Sequence, residues 1–408
     1  MAILFIATLD TKREPALYLK NKIEENGIKV VLMDISMGKH NYTDADIQAK
    51  IVAENGGSSI EEINNSKDRA KITQIMTDGA IKIAKHLYSE GKINGVIGLG
   101  GSTGTLMISD VMKSLPFGIP KLIVSSTAAL PGLSTRYIGT ADLMLFHSVV
   151  EIAGLSELLK NVLDRAALAI SGMNKIKPIS TIRKSGKKAI AMTMFGICEK
   201  CAEYVREKLE KTGKFEIIGF SAAGICDRAM EDMILEGFFD GVIDLAPGGV
   251  GEEILGGMRA AGPYRLENAG KVGIPMVIAP SGVNVMSPPK KKYKPDYYTR
   301  PKYDLDRHRT MLRVNKEEIK KVAEEFARKL NKAVEKSKIV FLFPLKGWSS
   351  IDYEGSPIHD PETDKVFIET FKKLANPKIE IKEYDLHLED EEFADKIVEN
   401  FLRIIGEN

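Results

Sequence analysis

The residues best suited to chemistry are the run Gly100-Gly101-Ser102-Thr103-Gly104-Thr105. Glycine lets the backbone approach a phosphate closely, and the hydroxyls of Ser102, Thr103 and Thr105 can add donors. The run follows the apolar stretch Gly95–Leu99 and precedes a helical pattern over Leu106–Leu115. Backbone N–H groups and the helix dipole at such a junction favour an anion. It is not a P-loop, because no Gly-Lys-Ser/Thr ends it. It is not a dinucleotide fingerprint either, because the third glycine would fall on Thr103. A tight strand-to-helix turn with a capping hydroxyl is the plainer alternative. Phosphate or carboxylate binding is the expectation, since two adjacent glycines plus a third exceed what a turn needs. Thr8, Asp10, Ser125 and Thr127, at the ends of neighbouring apolar runs, join the loop as candidate ligand residues.

Other chemistry has thinner support. Cys198-Glu199-Lys200-Cys201 falls between a strand and a helix, where a first thiol could be acidified by the helix N-terminus. Cys226 is the only other cysteine, so a four-thiolate zinc site is impossible within one chain. Two small residues packing at a helix start is the favoured reading. The histidines His40, His86, His147, His308, His359 and His387 show no metal-ligand spacing, and no metal site is expected. No Gly-x-Ser-x-Gly elbow supports serine hydrolase chemistry. Asp10, Asp34, Asp142, Asp227 and Asp244 lie at or near expected strand ends, the edge that lines the ligand crevice of a doubly wound sheet.

The elements that must position these residues recur as one unit: a short apolar run, a loop of Gly, Ser, Thr or Asp, then a stretch with helical spacing. Ala2–Ala7 leads into Thr8–Lys12 and a helix over Glu14–Glu25 that Gly27 ends. Ile28–Met33, Gly95–Leu99 and Lys121–Val124 read as further buried strands, with helices over Asp68–Glu90 and Val149–Ile170. Such continuous runs alternating with helices predict a parallel sheet covered on both faces. The pattern breaks at the Lys-rich stretch Asn174–Lys188 and starts afresh. Strands are expected at Ala189–Met194, Phe215–Phe220, Val242–Leu245, Met276–Ala279 and Ile339–Phe343, and a helix at Cys201–Lys211. The fold class is therefore α/β, with two Rossmann-like doubly wound domains, 1–180 and 181–408, whose loops face a shared cleft.

Pro288–Arg313 does not fit this scheme. Four prolines block helix and inner strand there, while nine Lys or Arg and four Tyr are interspersed through it. A solvated surface loop or a subunit-interface arm is expected, and a twofold homodimer is the simplest assembly. Across 408 residues, 58 Lys and Arg balance 56 Asp and Glu, so nothing pulls the chain toward nucleic acid or anionic membrane. Three cysteines make no disulfide framework. The apolar opening Ala2–Ala7 is too short for a signal core or a membrane span, and a cytoplasmic location is expected.

A resemblance rests on several of these residues. Thr8-Leu-Asp-Thr-Lys12, the Gly100–Thr105 loop, Tyr137-Ile-Gly139 with Asp142, Thr193-Met-Phe-Gly196, Arg228-Ala-Met-Glu231 and Pro344-Leu-Lys-Gly347 run through nearly the whole chain in order. In these the chain resembles the family of the N-terminal ATP-binding domain of the tomato mosaic virus resistance protein, whose members are mostly prokaryotic. The resemblance implies two Rossmann-like subdomains, with ATP or a related nucleotide, accompanied by Mg²⁺, near the glycine loop. The second half departs from the family pattern. Ser221-Ala-Ala-Gly224 replaces a His-Ala-Thr-Gly run, and Ala246-Pro-Gly-Gly249 replaces Thr-Thr-Thr-Glu. Asn284 replaces an Asp, and Leu305 a His. Groups able to move protons are thereby lost. Arg228 and Glu231 are spaced to bind each other, and Asp227 is the one new carboxylate there. Nucleotide binding is the leading expectation, with an enzyme as one form of it. A non-enzymatic small-anion sensor or interaction module, and a sugar-nucleotide enzyme, are the alternatives.

Overall fold

A computed structural model describes residues 1–38, 43–177, 186–307 and 309–407. His40, His308 and part of the Lys-rich junction lie outside the described residues. The chain divides into two compact units, Met1–Ser180 and Thr181–Asn408.

Unit 1 runs β1 (Ala2–Ala7), α1 (Leu9–Glu25), β2 (Val30–Asp34), α2 (Ala49–Asn55), α3 (Ile60–Asn65), α4 (Arg69–Ser89), β3 (Ile93–Gly100), α5 (Ser102–Lys113), β4 (Lys121–Ser125), α6 (Ser134–Ile138), β5 (Met144–His147) and α7 (Glu157–Met173). Its five strands are all parallel, in the order β2-β1-β3-β4-β5. Every residue of β1 is buried, because both faces of the sheet are covered. Leu4, Ile6, Val96 and Ile123 pack under α2, α4 and α5, whereas Ile3, Phe5, Ile97 and Leu122 pack under α1 and α7. Helix starts follow from short polar side chains: Asp68 and Ser156 accept backbone N–H bonds at the starts of α4 and α7. The α7 boundary is later than its apolar pattern predicts, because Val149 takes a positive φ of 64° and Ser156 is the cap.

Unit 2 runs β6 (Lys188–Met194), α8 (Glu199–Lys211), β7 (Phe215–Ser221), α9 (Ile225–Leu235), β8 (Gly241–Asp244), α10 (Gly249–Leu255), α11 (Asn268–Val272) and β9 (Met276–Ile278). Then come β10 (Val285–Met286), β11 (Lys302–Asp304), β12 (Thr310–Arg313), α12 (Lys316–Leu330), β13 (Ile339–Pro344), α13 (Pro361–Leu374), β14 (Glu380–Tyr384) and α14 (Glu391–Ile405). The main sheet is parallel, ordered β14-β13-β9-β8-β6-β7. One face carries Phe341 and Phe343 against Phe326, Phe367 and Phe371, and the other packs α8 and α14. The Pro-rich segment is no free arm. It folds back as β11 and β12, which pair with each other and, through β12, with the preceding β10 in one antiparallel sheet; it carries two 3-10 turns and buries Tyr297 against the unit's core. Among the described residues no helix is long and apolar enough to cross a membrane.

Candidate functional site

In unit 1 the chain leaves β1 toward β2 on one side and reaches β3 on the other, so the strand order reverses between β1 and β3. A crevice at the carboxyl ends of two such strands is where open α/β sheets take ligands. β1 delivers Thr8 to that point and β3 delivers the glycine loop, whereas Asp10 lies in the first turn of α1 with its carboxylate beside Gly38, Oδ2 2.8 Å from where a Gly38 Cβ would stand. Gly100 belongs to the turn itself: a Cβ there would lie 2.8 Å from the Thr105 nitrogen. Gly104 is different. A Cβ on it would meet only Thr8, at 3.8 Å, an ordinary van der Waals contact, so no clash forces glycine at this position. Gly101 precedes α5 and offers no side-chain cap, which leaves the N–H groups of the helix's first turn without a side-chain acceptor. Ser102 and Thr103 stand exposed on that turn.

Lys12 is a further candidate beside the loop, which its place in sequence does not single out. Its backbone is non-helical (φ −131°, ψ 20°) inside α1, close to Pro15, which cannot donate to the helix ladder. The bend keeps the Lys12 chain beside the loop, with Cε 3.9 Å from where a Gly101 Cβ would stand. Its ammonium donates to Glu151 at 3.1 Å and to the Ile152 carbonyl at 2.9 Å. That partner holds the Glu151 carboxyl below its usual range. A Lys four residues beyond a strand-end Thr, in a βα loop, is the signal that could have found it.

The remaining candidates divide. Thr105 and Ser125 are fully buried, and their hydroxyls lie 2.7 Å apart. The chain continues through Thr127, 3.2 Å from Ser125, to the Tyr137 hydroxyl at 3.0 Å. These hydroxyls tie α5 to the loop after β4 and are engaged with one another. Four of the five strand-end aspartates are likewise engaged. Asp34 accepts the Leu9 and Ser36 N–H groups, which anchors the β1–α1 loop, and burial pushes its carboxyl up. Asp142 holds buried Lys121 at 2.6 Å. Asp227 and Asp244 both face Arg265. Asp10 is the fifth, and its carboxylate makes no hydrogen bond or ion pair among the described residues.

The equivalent reversal in unit 2, between β6 and β8, is filled. Thr193 donates to Asp244 at 2.8 Å and accepts the Ala246 N–H at 3.0 Å. The Arg265 guanidinium grips both Asp244 oxygens, at 2.5 and 2.8 Å, and reaches Asp227 at 3.2 Å and Glu231 at 3.4 Å. Three carboxylates surround one cation in a site without solvent. Burial therefore pushes Asp227 up, and Glu231 up to about 7. The expected Arg228–Glu231 pairing does not form, because Glu231 turns inward to Arg265 and to the N–H groups of Leu266 and Asn268. Asp227 is 0% exposed, so it is a member of this network and not a free carboxylate.

The departures from the family pattern make packing sense. A Cβ at Gly249 would lie 2.6 Å from the Ala261 Cβ and 2.9 Å from Asp227, so no larger side chain fits. Asn284 donates to Asp352 at 2.8 Å and to Asp364 at 3.2 Å, bridging two buried carboxylates that a third would repel. Arg313 supports Asp364, whose carboxyl burial pushes up to about 7. Asp352 also takes the His359 Nδ1–H at 2.8 Å. His86 lies exposed on α4 beside Glu90. Burial pushes the Cys198 thiol up to about 12 and Cys201 well above its ordinary value. A thiolate nucleophile is thus disfavoured at both, in keeping with the packing role.

Comparisons with known proteins extend over both units. The N-terminal domain model of an uncharacterised protein family, UPF0261, matches residues 1–178, and its C-terminal domain model matches 187–405. A UPF0261 protein of Clostridium tetani is 37% identical over 394 residues, 96% of each chain. The ToMV resistance protein Tm-1(GCR237) of Solanum lycopersicum is 36% identical over 321 residues, which are 77% of this chain but 42% of the tomato protein. Among solved structures, a UDP-GlcNAc 2-epimerase from Methanocaldococcus jannaschii aligns over 68% of this chain and 83% of its own, at 15% identity and a TM-score of 0.22. That likeness is too low to carry an argument. Matched along both halves and aligned end to end with a relative of the same name, this chain belongs to the UPF0261 family, to which the tomato Tm-1 proteins are related.

Proposed function

We propose that unit 1 binds ATP or a related nucleotide at the β1–β3 reversal, with its phosphates on the backbone N–H groups that open α5. The observation that carries this reading is the uncapped start of α5, where a Gly104 Cβ would touch only Thr8, at 3.8 Å. Ser102 and Thr103 add hydroxyl donors, and Lys12 adds a cation that exchanges Glu151 for phosphate. Asp10 is the carboxylate available to a nucleotide-bound Mg²⁺, an ion that needs only one or two protein carboxylates. Thr105, Ser125 and Thr127 act one step back, by holding the loop's shape. The engaged carboxylates of unit 2 favour binding over acid–base catalysis. Calorimetric titration of the full chain with ATP, ADP and nucleotide-sugars tests the reading. Gly104→Val places methyl groups between the loop and Thr8 and lowers nucleotide affinity at least tenfold. Unchanged affinity in a folded Gly104→Val variant overturns the assignment. Phosphate release with Mg²⁺ present separates an enzyme from a sensor.

A further inference from the structure

The Pro-rich insert of unit 2 lines an open pocket of about 520 Å³, within the range of small-molecule sites. Three tyrosines wall it. Tyr293 packs edge-on to Tyr297 and Tyr298, with ring centroids 5.8 and 5.5 Å apart. Tyr297 is buried and fixed by the Arg300 guanidinium, 4.7 Å from its ring centre, and Arg300 is itself held by Asp296 and Glu318. Tyr297 is therefore braced from behind.

Tyrosine rings alone would suit a quaternary ammonium guest. The charges at the rim decide otherwise. Lys290, Lys302 and Arg307 line the cavity and make no ion pair or side-chain hydrogen bond among the described residues. Of the two acids there, Asp306 is paired with Arg309 at 2.6 Å, while Asp304 accepts the Thr310 hydroxyl at 2.6 Å and keeps its negative charge. Three uncommitted cations outweigh the one carboxylate without a cation, so the rim attracts an anionic guest, while the rings favour a planar one. We propose that this cavity is a binding site for a small aromatic anion, its ring against Tyr293 and Tyr298 and its acidic group among Lys290, Lys302 and Arg307.

Phenyl phosphate is the probe, titrated into the full chain and followed by calorimetry, with phenyltrimethylammonium and inorganic phosphate as controls. Phenyl phosphate should bind at least tenfold more tightly than either control. Tyr298→Ala and the double variant Lys302→Gln/Arg307→Gln should each lower its affinity at least fivefold. Both alter exposed side chains, so the fold survives. Gly104→Val, in unit 1, should leave this binding unchanged. Three results overturn the site: preference for the ammonium probe, loss in Gly104→Val but not in the pocket variants, or no binding. A shift of self-association in light scattering, without effect on phenyl phosphate, also overturns it and marks the surface as a contact between copies.

Discussion

The two units share a way of building a sheet edge and finish it in opposite ways. In each, the second strand lies to one side of the first and the third to the other, which opens a crevice at their carboxyl ends. Unit 1 leaves that crevice lined with backbone N–H groups, glycine and exposed hydroxyls. Unit 2 closes it with Thr193, Asp244, Asp227, Glu231 and the Arg265 guanidinium. The difference teaches that the topology supplies a place and the loop residues decide its use. An edge occupied by its own ion pairs has no donors to offer, whereas an uncapped helix start has donors and no acceptor.

The sharpest way to break this contrast is Arg265→Leu. It strands three carboxylates without their cation and should destabilise unit 2 by about 3–5 kcal/mol in urea unfolding. Little loss would mean that the network is not the keystone of that edge. Next comes a matched pair of glycine substitutions. Gly249→Ala forces a methyl against Ala261 and Asp227 and should cost about 1–3 kcal/mol. Gly104→Ala fits beside Thr8 at 3.8 Å and should be neutral or stabilising by up to about 1 kcal/mol. If both prove equally damaging, unit 1's edge is as crowded as unit 2's.

A third measurement concerns Lys12. Lys12→Met should weaken nucleotide binding about tenfold, which corresponds to about 1.4 kcal/mol, and reduce its salt dependence. Equal affinity would remove Lys12 from the site. The smallest effect is one of pH. Glu231 holds its proton up to about 7 in the folded chain, against an ordinary value of 4.5. The folded state therefore binds more protons than the unfolded chain between those values. That stability is fully present below about pH 4.5 and is lost as pH rises through about 7. The slope for one group is at most about 1.4 kcal/mol per pH unit. Glu231→Gln should flatten this fall relative to the unaltered chain, as read from unfolding midpoints between pH 5 and pH 8. An unchanged slope would show that Glu231 is ionised at neutral pH.

Much of this was legible from the chain itself. Strands β1, β4, β6, β7, β8 and β9 lie within a residue or two of their expected positions, because buried parallel strands read as unbroken apolar runs. The edge strands β5 and β14 gave no such signal. Met144–His147 and Glu380–Tyr384 are only partly buried, so nothing forces their residues to be apolar throughout. From sequence the Pro-rich segment reads as irregular, because β10 and β12 pair across an intervening stretch that local pattern does not span.

For the candidate site, local sequence determined the glycine loop, its place between a strand and a helix, and Thr8 and Asp10 at the neighbouring strand end. These follow from chain geometry within a few residues. Tertiary structure alone decided which polar groups stay available. Arg265 reaches Asp227, Asp244 and Glu231 across 38, 21 and 34 residues. Thr105 meets Ser125 across 20, and Lys12 meets Glu151 across 139. A buried carboxylate or hydroxyl must find a partner wherever the fold brings one. Whether an acid at a strand end faces a ligand or an internal cation is therefore settled by contacts that no local spacing encodes.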